Sequence, residues 1–497
     1  MKLTFVPKDA DKAYIADRLW LPKSGIRSEP VQRALEFLVN GKDQSGAVAQ
    51  VKMSMWNQTM KHIVCPREFI PASHYPRYKF PFVDLRPEFQ KVQFEDHVIP
   101  RNEEQEKAWS ALALNDNGIL NLGCGKGKTK LAQKKIAQKG VPTLVVVPDG
   151  GILEQWKESI YGNPAKGLSK GLSFDGELGI IQGPVFNWAK PITLALVTTL
   201  WMRIEQGAIP EEVFRYFGLI IYDEVHQIGA PKFSLTATPF YGNRIGLTAT
   251  VKREDGLDPI YRYHLGEPFY TDLQQELIPR IYMQQTPTVM GTAEAEVNGV
   301  TNISMLRSLL GKNLVGNIYR YHSIKAALDA GRKVLCLSHS KDQLRLFHAM
   351  FPGSALIIAE TDSSTRMDVL RDSQICFAIA RLGSQGVDDD QLDTLFWLTP
   401  YRSKIALQQS MGRIQRRREG KKDPVMVVFD DWMVPSFKRM CGALKRSLKE
   451  WNYKFESLKP LQVPRTLPSE VQALYDAALA KLTARDEVVA DEDDEKP

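Results

Sequence analysis

The sequence predicts an α/β protein with two successive parallel sheets, each covered by helices on both faces. Short apolar runs of strand length recur along the chain, separated by amphipathic segments of helix length. Most of these runs do not alternate with polar residues, which is typical of strands buried on both faces. The pattern occurs twice, over about 100–279 and 318–429. The predicted strands are 119–122, 143–147, 192–197, 219–222 and 244–247 in the first sheet, and 333–337, 355–358, 375–380, 394–398 and 425–429 in the second.

The rest of the chain differs in composition from the two sheets. The N-terminal residues combine β-like stretches with prolines, aromatics and bases, which predicts a small α+β accessory domain. The stretch 284–300 is poor in large apolar residues and contains Pro287, Gly291 and Gly299, as a linker does. The last thirteen residues are too acidic to pack. The predicted domains are 1–92 (accessory), 93–283 (first α/β), 284–317 (linker), 318–430 (second α/β), 431–484 (helical C-terminal extension) and 485–497 (disordered acidic tail).

Composition excludes several classes of protein. The chain has 497 residues, of which 43% are hydrophobic and 25% charged, as in ordinary globular proteins. It contains no apolar run long enough for a membrane span, and its N-terminus lacks the apolar core of a signal peptide. The five cysteines have no paired metal spacing and suggest buried thiols. We therefore expect a cytoplasmic protein, in the host cytoplasm if it is viral, with no membrane partner.

The charge is unevenly distributed. The net charge is +7, but residues 485–497 carry −5, which leaves +12 on the rest of the chain. A basic body with an acidic tail suits a nucleic-acid binder, although a solvated surface that aids solubility explains it equally well. In the N-terminal segment, Arg67, Arg77 and Lys79 lie among aromatics. These bases could contact DNA, and packing against the next domain explains them about as well.

A glycine-rich loop follows the first predicted strand of the first sheet. Glycines let backbone N–H groups approach phosphate, the following helix start favours negative charge, Lys128 can reach the terminal phosphates and Thr129 can hold Mg²⁺. The strict pattern has glycine at position 122, where this chain has leucine, and such clusters also occur in plain turns. The predicted nucleotide loop is Gly123, Cys124, Gly125, Lys126, Gly127, Lys128 and Thr129.

A second signal is the acid pair that ends strand 219–222. Parallel strands place their functional residues at the carboxyl ends, so Asp223 and Glu224 are expected beside the glycine-rich loop. Asp223 would hold Mg²⁺ through water, and Glu224 would orient and deprotonate the attacking water. The alternative is a surface pair that caps the next helix. The four apolar residues directly before the pair argue against it.

Three further segments, together with the glycine-rich loop and the acid pair, complete a recognisable set of motifs. The chain resembles superfamily 2 helicases and translocases, specifically the XPB-type branch that includes phage UvsW-like proteins, over about residues 101–430. The motifs are Asp223-Glu-Val-His226 (D-E-x-H), Arg244-Ile-Gly-Leu-Thr-Ala-Thr250 with the trailing Arg253-Glu-Asp, Val147-Pro148 with Gln155-Trp156, and Gln409-Ser-Met-Gly-Arg-Ile-Gln-Arg416 (Q-x-x-G-R-x-x-R). An earlier Thr-Ala-Thr at 236–238 lacks the preceding Arg-x-Gly-Leu and is assigned to a loop or helix start.

The resemblance implies two RecA-like domains that bind ATP between them and close around it. It implies that His226, Thr248 and Thr250 couple the nucleotide site to movement of the nucleic-acid strand. The residues it places on nucleic acid are Pro148, Gln155 and Arg253.

In the second domain the resemblance implies an arginine finger. We expect Arg413 and Arg416, three residues apart on one helix face with Gln409, to stabilise charge on the leaving phosphate. Gly386 would permit a tight turn and Asp388 would touch ribose or couple the sites, although a plain β-turn also fits. Adenine recognition is assigned to Gln105, with Arg101 beside it. Arg101 lies four residues before Gln105, whereas the family commonly has its arginine three residues before the glutamine. A solvated glutamine is the alternative.

The predicted function is an ATP-dependent DNA helicase or translocase that uses ATP and Mg²⁺. We expect it to unwind or branch-migrate duplex, forked or branched DNA, in phage replication, recombination or repair, and to meet replication or recombination proteins. The alternatives are an RNA helicase and an ATP-dependent nucleic-acid clamp that does not translocate. The presence of Glu224, Arg413 and Arg416 argues against the clamp.

Overall fold

The chain divides into two compact units, Met1–Leu273 and Gln274–Pro497. A computed structural model describes residues 7–42, 48–123, 125–164, 168–250, 253, 255–273, 277–297, 299–358, 360–361, 366–380, 389, 391–401, 403–416 and 418–494. Within these ranges, no helix is long and apolar enough to cross a membrane.

The first unit is built on a large, mostly parallel sheet. Its strands are β9 Gly118–Leu122, β10 Thr143–Val147, β12 Gly179–Gln182, β13 Val185–Asn187, β14 Ile192–Leu196, β15 Leu219–Asp223, β16 Asn243–Thr248 and β17 Pro268–Asp272. Their order across the sheet is β13-β12-β14-β10-β15-β16-β9-β17, and β12 and β13 form its antiparallel pair. The helices are α1 Ser28–Ala34, α2 Glu103–Leu114, α3 Lys128–Lys139, α4 Gly150–Tyr161, α5 Val197–Glu205, α6 Glu211–Tyr216, α7 Pro231–Ser234 and α8 Asp258–Leu265.

Helices cover both faces of this sheet because successive strand residues point to opposite sides. Leu120, Val145 and Ile221 belong to one buried cluster, whereas Ile119, Val146 and Ile220 belong to another. Strands buried in this way carry mostly apolar residues on both faces. This explains why the uninterrupted apolar runs predicted them correctly.

The N-terminal segment of the first unit forms smaller sheets. One has the strand order β5-β6-β2-β1-β7, and β3 pairs with β4 in a hairpin, while β8 pairs with β11. The strands are β1 Ala13–Ile15, β2 Leu19–Pro22, β3 Glu36–Lys42, β4 Val48–Ser54, β5 Asn57–Gln58, β6 His62–Cys65, β7 Phe82–Asp84, β8 Phe94–Asp96 and β11 Leu172–Phe174. A 3₁₀ helix spans Ala72–Arg77.

The N-terminal sheet packs on the large sheet of the same unit through buried contacts. Arg67 is 1% exposed and donates hydrogen bonds to the carbonyls of Tyr241 at 2.8 Å and Gly242 at 2.6 Å. Trp20 belongs to the same buried cluster as Tyr241. Arg244, also fully buried, donates to the Asp17 carbonyl at 2.8 Å. The suggestion that Arg67 contacts DNA is therefore wrong, because its guanidinium is used inside the fold.

The second unit contains one parallel sheet in the order β22-β23-β21-β24-β25-β18-β26. Its strands are β18 Arg280–Gln285, β21 Val334–Ser338, β22 Ala355–Ile357, β23 Ile375–Ile379, β24 Thr394–Trp397, β25 Val425–Asp430 and β26 Phe455–Leu458, and a short pair is formed by β19 Glu296–Val297 and β20 Val300–Thr301. The helices are α9 Ile303–Lys312, α10 Leu314–Asp329, α11 Lys341–Met350, α12 Arg366–Asp372, α13 Lys404–Ile414, α14 Pro435–Glu450 and α15 Ser469–Asp494.

The tandem α/β architecture is confirmed, and each of the ten predicted sheet strands is present to within one residue at either end. The structure corrects the boundaries between domains. The chain divides before Gln274, whereas the linker was predicted at 284–317, because β18 already pairs with β25 of the second sheet. The C-terminal extension is not purely helical, since β26 pairs with β18. Helix α15 continues through 485–494, which composition assigned to a disordered tail.

Candidate nucleotide and nucleic-acid site

The glycine-rich loop joins β9 to the start of α3 in the first unit. Gly125 and Gly127 adopt left-handed backbone angles, with φ of 79° and 82°. Lys128 is the first residue of α3, and its ammonium donates to the carbonyls of Leu122 at 3.0 Å and Gly123 at 3.4 Å. Thr129 follows it in the first turn. Cys124 lies outside the described residues. This strand, loop and helix start form the arrangement predicted for binding phosphate.

The two residues assigned to adenine brace this loop. The Gln105 amide donates to the Lys126 carbonyl at 3.0 Å and accepts from the Arg101 N–H at 2.8 Å. The Arg101 guanidinium donates to the Gly125 carbonyl at 3.0 Å. A Cβ at Gly127 would lie 2.5 Å from Gln105 Nε2, so a larger residue would clash there. Both side chains therefore shape the loop from outside, and adenine recognition by Gln105 stays a prediction.

An ion pair at the loop was not anticipated. Lys126 binds Asp272 at 2.6 Å, and both side chains are largely shielded from solvent. Asp272 ends β17, which neighbours β9 in the sheet. Sequence spacing gave no signal for it, because the two residues are far apart in the chain.

Asp223 ends β15 at the same edge of the sheet. Its Oδ2 accepts a hydrogen bond from the Trp156 indole at 2.9 Å, and its Oδ1 accepts from the Glu224 N–H at 2.9 Å. Burial and, next, the Glu224 carboxylate raise the pKa of Asp223 to about 6, while Lys128 acts in the opposite direction. Two adjacent carboxylates beside a lysine form a site that a divalent cation would stabilise.

Glu224 has an unusual backbone for a non-glycine residue, with φ of 48° and ψ of 52°. This left-handed conformation lies between the end of β15 and a 3₁₀ helix at Val225–Gly229. Such strain is concentrated at functional sites. The sharp turn sets the direction of the Glu224 carboxylate relative to the strand end.

The Glu224 carboxylate lies close to His226, which contacts the end of β16. His226 Nδ1 lies 3.4 Å from Glu224 Oε2, 3.3 Å from Thr248 Oγ1 and 3.4 Å from Thr250 Oγ1. The Thr248 hydroxyl also donates to the Thr250 carbonyl at 2.9 Å. Burial and, next, Arg253 lower the pKa of His226 to about 4, so the imidazole is neutral near pH 7. The three residues assigned to coupling therefore form one contiguous network.

Arg253 packs beneath this network. Its guanidinium donates to the His226 carbonyl and pairs with Asp255 at 2.6 Å. A Cβ at Gly229 would lie 2.5 Å from the Arg253 side chain, so glycine allows the close approach. Arg253 thus contacts His226 directly, and its assignment to nucleic acid is still a prediction. The earlier Thr-Ala-Thr copy lies at the 3₁₀ helix Leu235–Ala237 and the residue after it, as expected.

Pro148 and Gln155 lie at the end of β10 and in α4. Asp149 caps α4 by accepting from the Ile152 N–H at 3.0 Å. Among the described residues, Gln155 Nε2 has no hydrogen-bond partner although it is buried. Trp156, one residue further, is completely buried and supports Asp223. Its link to the acid was not foreseen, because no spacing rule connects α4 with the end of β15.

In the second unit, Gln409 and Arg413 lie on α13, which ends at Ile414. Arg416 therefore lies beyond the helix, and the prediction that both arginines share one helix face is wrong. Gln415 is the C-cap residue that ends the helix, and its side-chain N–H donates a hydrogen bond to the Tyr453 hydroxyl at 2.9 Å. Gln409 is 3% exposed, and its Nε2 has no partner within the described ranges. Gly386 and Asp388 lie outside those ranges.

Known proteins resemble this chain in sequence and in fold. Residues 98–253, from just before the loop to Arg253, match the family model "Type III restriction enzyme, res subunit". The match covers less than half of the chain, and proteins named as helicases are among its relatives in sequence. Its fold matches that of yeast Dbp5 bound to RNA and ADP-BeF₃, with a TM-score of 0.50 and 13% identity over 76% of this chain and 93% of that chain. The two sheet domains are therefore RecA-like.

Two relatives are named for different nucleic acids, one for RNA and one for DNA. The chain is 25% identical over 401 residues to the putative ATP-dependent RNA helicase L396 of Acanthamoeba polyphaga mimivirus, covering 76% of this chain and 71% of the relative. It is 32% identical over 218 residues to the DNA 3'-5' translocase XPB2 of Sulfurisphaera tokodaii, covering 41% of this chain and 46% of the relative. This chain thus spans less than half of that translocase.

Proposed function

We propose that this chain is an ATP-dependent motor on nucleic acid that unwinds or branch-migrates duplex, forked or branched DNA. The observation that carries the proposal is the continuous link from Glu224 through His226 to Thr248 and Thr250, beside Asp223 and the glycine-rich loop. A site that only bound nucleotide would not need its acid connected to the end of a neighbouring strand. A motor needs such a link to transmit the nucleotide state.

In this proposal, each site residue of the first unit has one role in ATP hydrolysis. The loop N–H groups and Lys128 bind the phosphates, and Glu224 removes the proton from the attacking water. Thr129 and Asp223 would hold Mg²⁺, whose charge would offset the developing negative charge on phosphate. The raised pKa of Asp223 fits this assignment, because a buried carboxylate with another beside it favours a bound cation.

We further propose that Arg413 and Arg416 supply positive charge to the leaving phosphate, with Gln409 positioning the water or the phosphate. The buried Gln409 Nε2, which has no hydrogen-bond partner within the described ranges, supports a role toward a ligand. Pro148, Gln155 and Arg253 are proposed to lie along the nucleic-acid strand. Asp388 is proposed to touch ribose or couple the sites, on a turn that Gly386 permits.

DNA is preferred over RNA because the Arg244–Thr250 segment with its trailing Arg-Glu-Asp resembles the XPB-type branch. The higher identity to the translocase, 32% against 25%, supports the same choice. The second candidate is an RNA helicase, favoured by the longer match to the mimivirus relative. Roles in phage replication, recombination or repair, with protein partners from those processes, follow from the DNA assignment.

The deciding experiment compares ATPase stimulation by forked DNA, linear duplex DNA and structured RNA, with strand displacement measured on the same substrates. We expect Mg²⁺-dependent ATPase that rises most with forked DNA and is accompanied by strand displacement or junction movement. Preferential stimulation by RNA would support the second candidate. Tight ATP-dependent binding without displacement or movement would indicate a clamp, and no response to any nucleic acid would refute the motor.

A further inference from the structure

Helix α14 carries a row of exposed bases on one face. Its sixteen residues include five lysines and arginines and one acid, Glu450, which is paired with Lys404. Lys438, Arg446 and Lys449 are exposed at spacings of eight and three residues, so they lie along one side of the helix. Arg439 is exposed beside Lys438.

Three bases of the row, Lys438, Arg446 and Lys449, form no ion pair with any residue that the structure describes. The acids nearest the helix start are already used, since Asp430 binds Lys445 at 2.9 Å and Asp431 binds Arg320 at 2.6 Å. A solvated helix face usually mixes charges of both signs. The one acid near this row, Glu450, is paired with Lys404, so the row keeps an excess of positive charge that favours a negatively charged partner.

A glycine lies in the middle of the row. Gly442 is four residues from both Lys438 and Arg446, inside the helix, where glycine is unfavourable. A Cβ at this position would have Arg446 Nη1, 4.0 Å away, as its nearest neighbour. Packing within the protein therefore does not require glycine here. A smooth gap between two bases lets another backbone approach the helix closely.

The opposite face of α14 holds the row in place. Phe437, Cys441, Leu444 and Leu448 are at most 3% exposed and pack in the core of the second unit. At 1.5 Å per residue, Lys438 and Lys449 are about 17 Å apart along the axis. One DNA strand advances about 3.4 Å along the duplex axis per phosphate, so the row spans roughly five phosphates.

We propose that this face, formed by Lys438, Arg439, Gly442, Arg446 and Lys449, binds the phosphate backbone of nucleic acid. The inference rests on the proposed motor function and adds a contact surface in the second unit. A row of basic side chains with a central gap fits a strand that carries evenly spaced negative charges. Such a row binds phosphate whatever the base sequence of the nucleic acid. The surface should therefore raise affinity for all substrates and make binding sensitive to salt.

The test uses the full chain with Lys438, Arg446 and Lys449 all changed to alanine. The matched control changes Lys454, Lys459 and Arg465, three exposed bases of the same unit, to alanine. Affinity for forked DNA is measured by fluorescence anisotropy across a salt series. We expect at least tenfold weaker binding at about 0.1 M salt and a salt slope shallower by roughly two to three, since each contact contributes about 0.9. The control should change affinity less than twofold, and basal ATPase should be unchanged in both.

Gly442→Leu tests the close approach without changing charge. It should leave thermal stability equal or higher and weaken binding several-fold, and unchanged binding would mean that no backbone approaches the helix at this gap. Unchanged affinity and slope in the triple variant, with a parent that binds DNA, would overturn the inference while leaving the motor proposal intact. A parent that binds no nucleic acid would overturn both. If deleting residues 485–497 abolished the difference between the triple variant and parent, the acidic tail would be the occupant, and the inference would be wrong.

Discussion

Trp156 donates its indole N–H to Asp223 Oδ2 at 2.9 Å, which ties helix α4 to the acid that ends β15. The indole is completely buried, and the carboxylate it supports has a raised pKa. A hydrogen bond to the charged form favours ionised Asp223, in opposition to burial. Trp156 is therefore a positioning residue that keeps Asp223 available as an anion.

Trp156→Phe should weaken the response to Mg²⁺. The ring volume is largely kept, but the loss of a hydrogen bond to a charged group, worth roughly 1.5–3 kcal/mol, raises the pKa of Asp223 further. We expect the Mg²⁺ concentration for half-maximal ATPase to rise several-fold at pH 7 and to rise more at pH 6. Trp188→Phe is the control and should leave the Mg²⁺ requirement unchanged. Lower activity with the parent's Mg²⁺ requirement would show only a packing defect.

Glu224→Gln should separate nucleotide binding from turnover. The amide keeps the shape but cannot accept the proton of the attacking water, so turnover should fall by about 10²–10⁴-fold. Affinity for MgATP, measured by fluorescent-nucleotide titration, should stay within threefold of the parent. Lys128→Ala should instead lose most nucleotide binding, and Glu212→Gln, at an exposed position, should behave as the parent. Near-parent hydrolysis by Glu224→Gln would exclude Glu224 as the base.

Arg416→Ala should lower turnover at least tens of fold with little loss of ATP affinity. The expected reason is that the guanidinium acts on charge that develops in the transition state. Steady-state ATPase and equilibrium nucleotide binding are compared for the parent, the variant and Arg465→Ala, which removes an exposed base elsewhere in the unit. Since Arg416 lies beyond α13, Arg413→Ala should be tested separately. Lost affinity without lost turnover would refute the finger assignment for either residue.

Arg77→Ala with Lys79→Ala should test whether the N-terminal sheet contacts DNA. Both residues are exposed, in contrast to Arg67, so the double change should not affect stability. If both contact phosphate, affinity for a branched junction should fall several-fold and the salt slope should become shallower by about 1.8. Lys91→Ala with Lys170→Ala is the control on the same unit. An unchanged slope would assign the sheet a structural role or a protein partner.

Arg67→Met should destabilise the first unit. The change removes two hydrogen bonds at 2.8 Å and 2.6 Å and leaves the Tyr241 and Gly242 carbonyls buried without that donor. The expected cost is about 2–4 kcal/mol in the free energy of unfolding, measured by denaturant titration. Arg77→Met, at an exposed position, should cost less than about 0.5 kcal/mol. Equal stability of the two variants would contradict the anchoring role of Arg67.

Local sequence was sufficient to predict the elements that hold the proposed nucleotide site. The strand before Asp223 is apolar at each position, and the strand before the glycine-rich loop is apolar except at Asn121, because helices cover both faces. This signal needs no tertiary information. Glycines at 125 and 127 and lysine at 128 are likewise specified by local backbone angles and charge. The order of strands along the chain then places their carboxyl ends at one edge of the sheet.

Tertiary structure alone decided which distant residues support that site. The contacts of Trp156 with Asp223, of Lys126 with Asp272 and of Arg67 with Tyr241 join residues separated by 67, 146 and 174 positions. Sequence periodicity reports which face of an element is buried, but it does not report what lies opposite that face. The domain boundary differs from the predicted one for the same reason. A strand belongs to the sheet of the strand with which it pairs, and β18 pairs with β25. Sequence therefore determined the chemistry of the site, and long-range packing determined its supports and the limits of the two units.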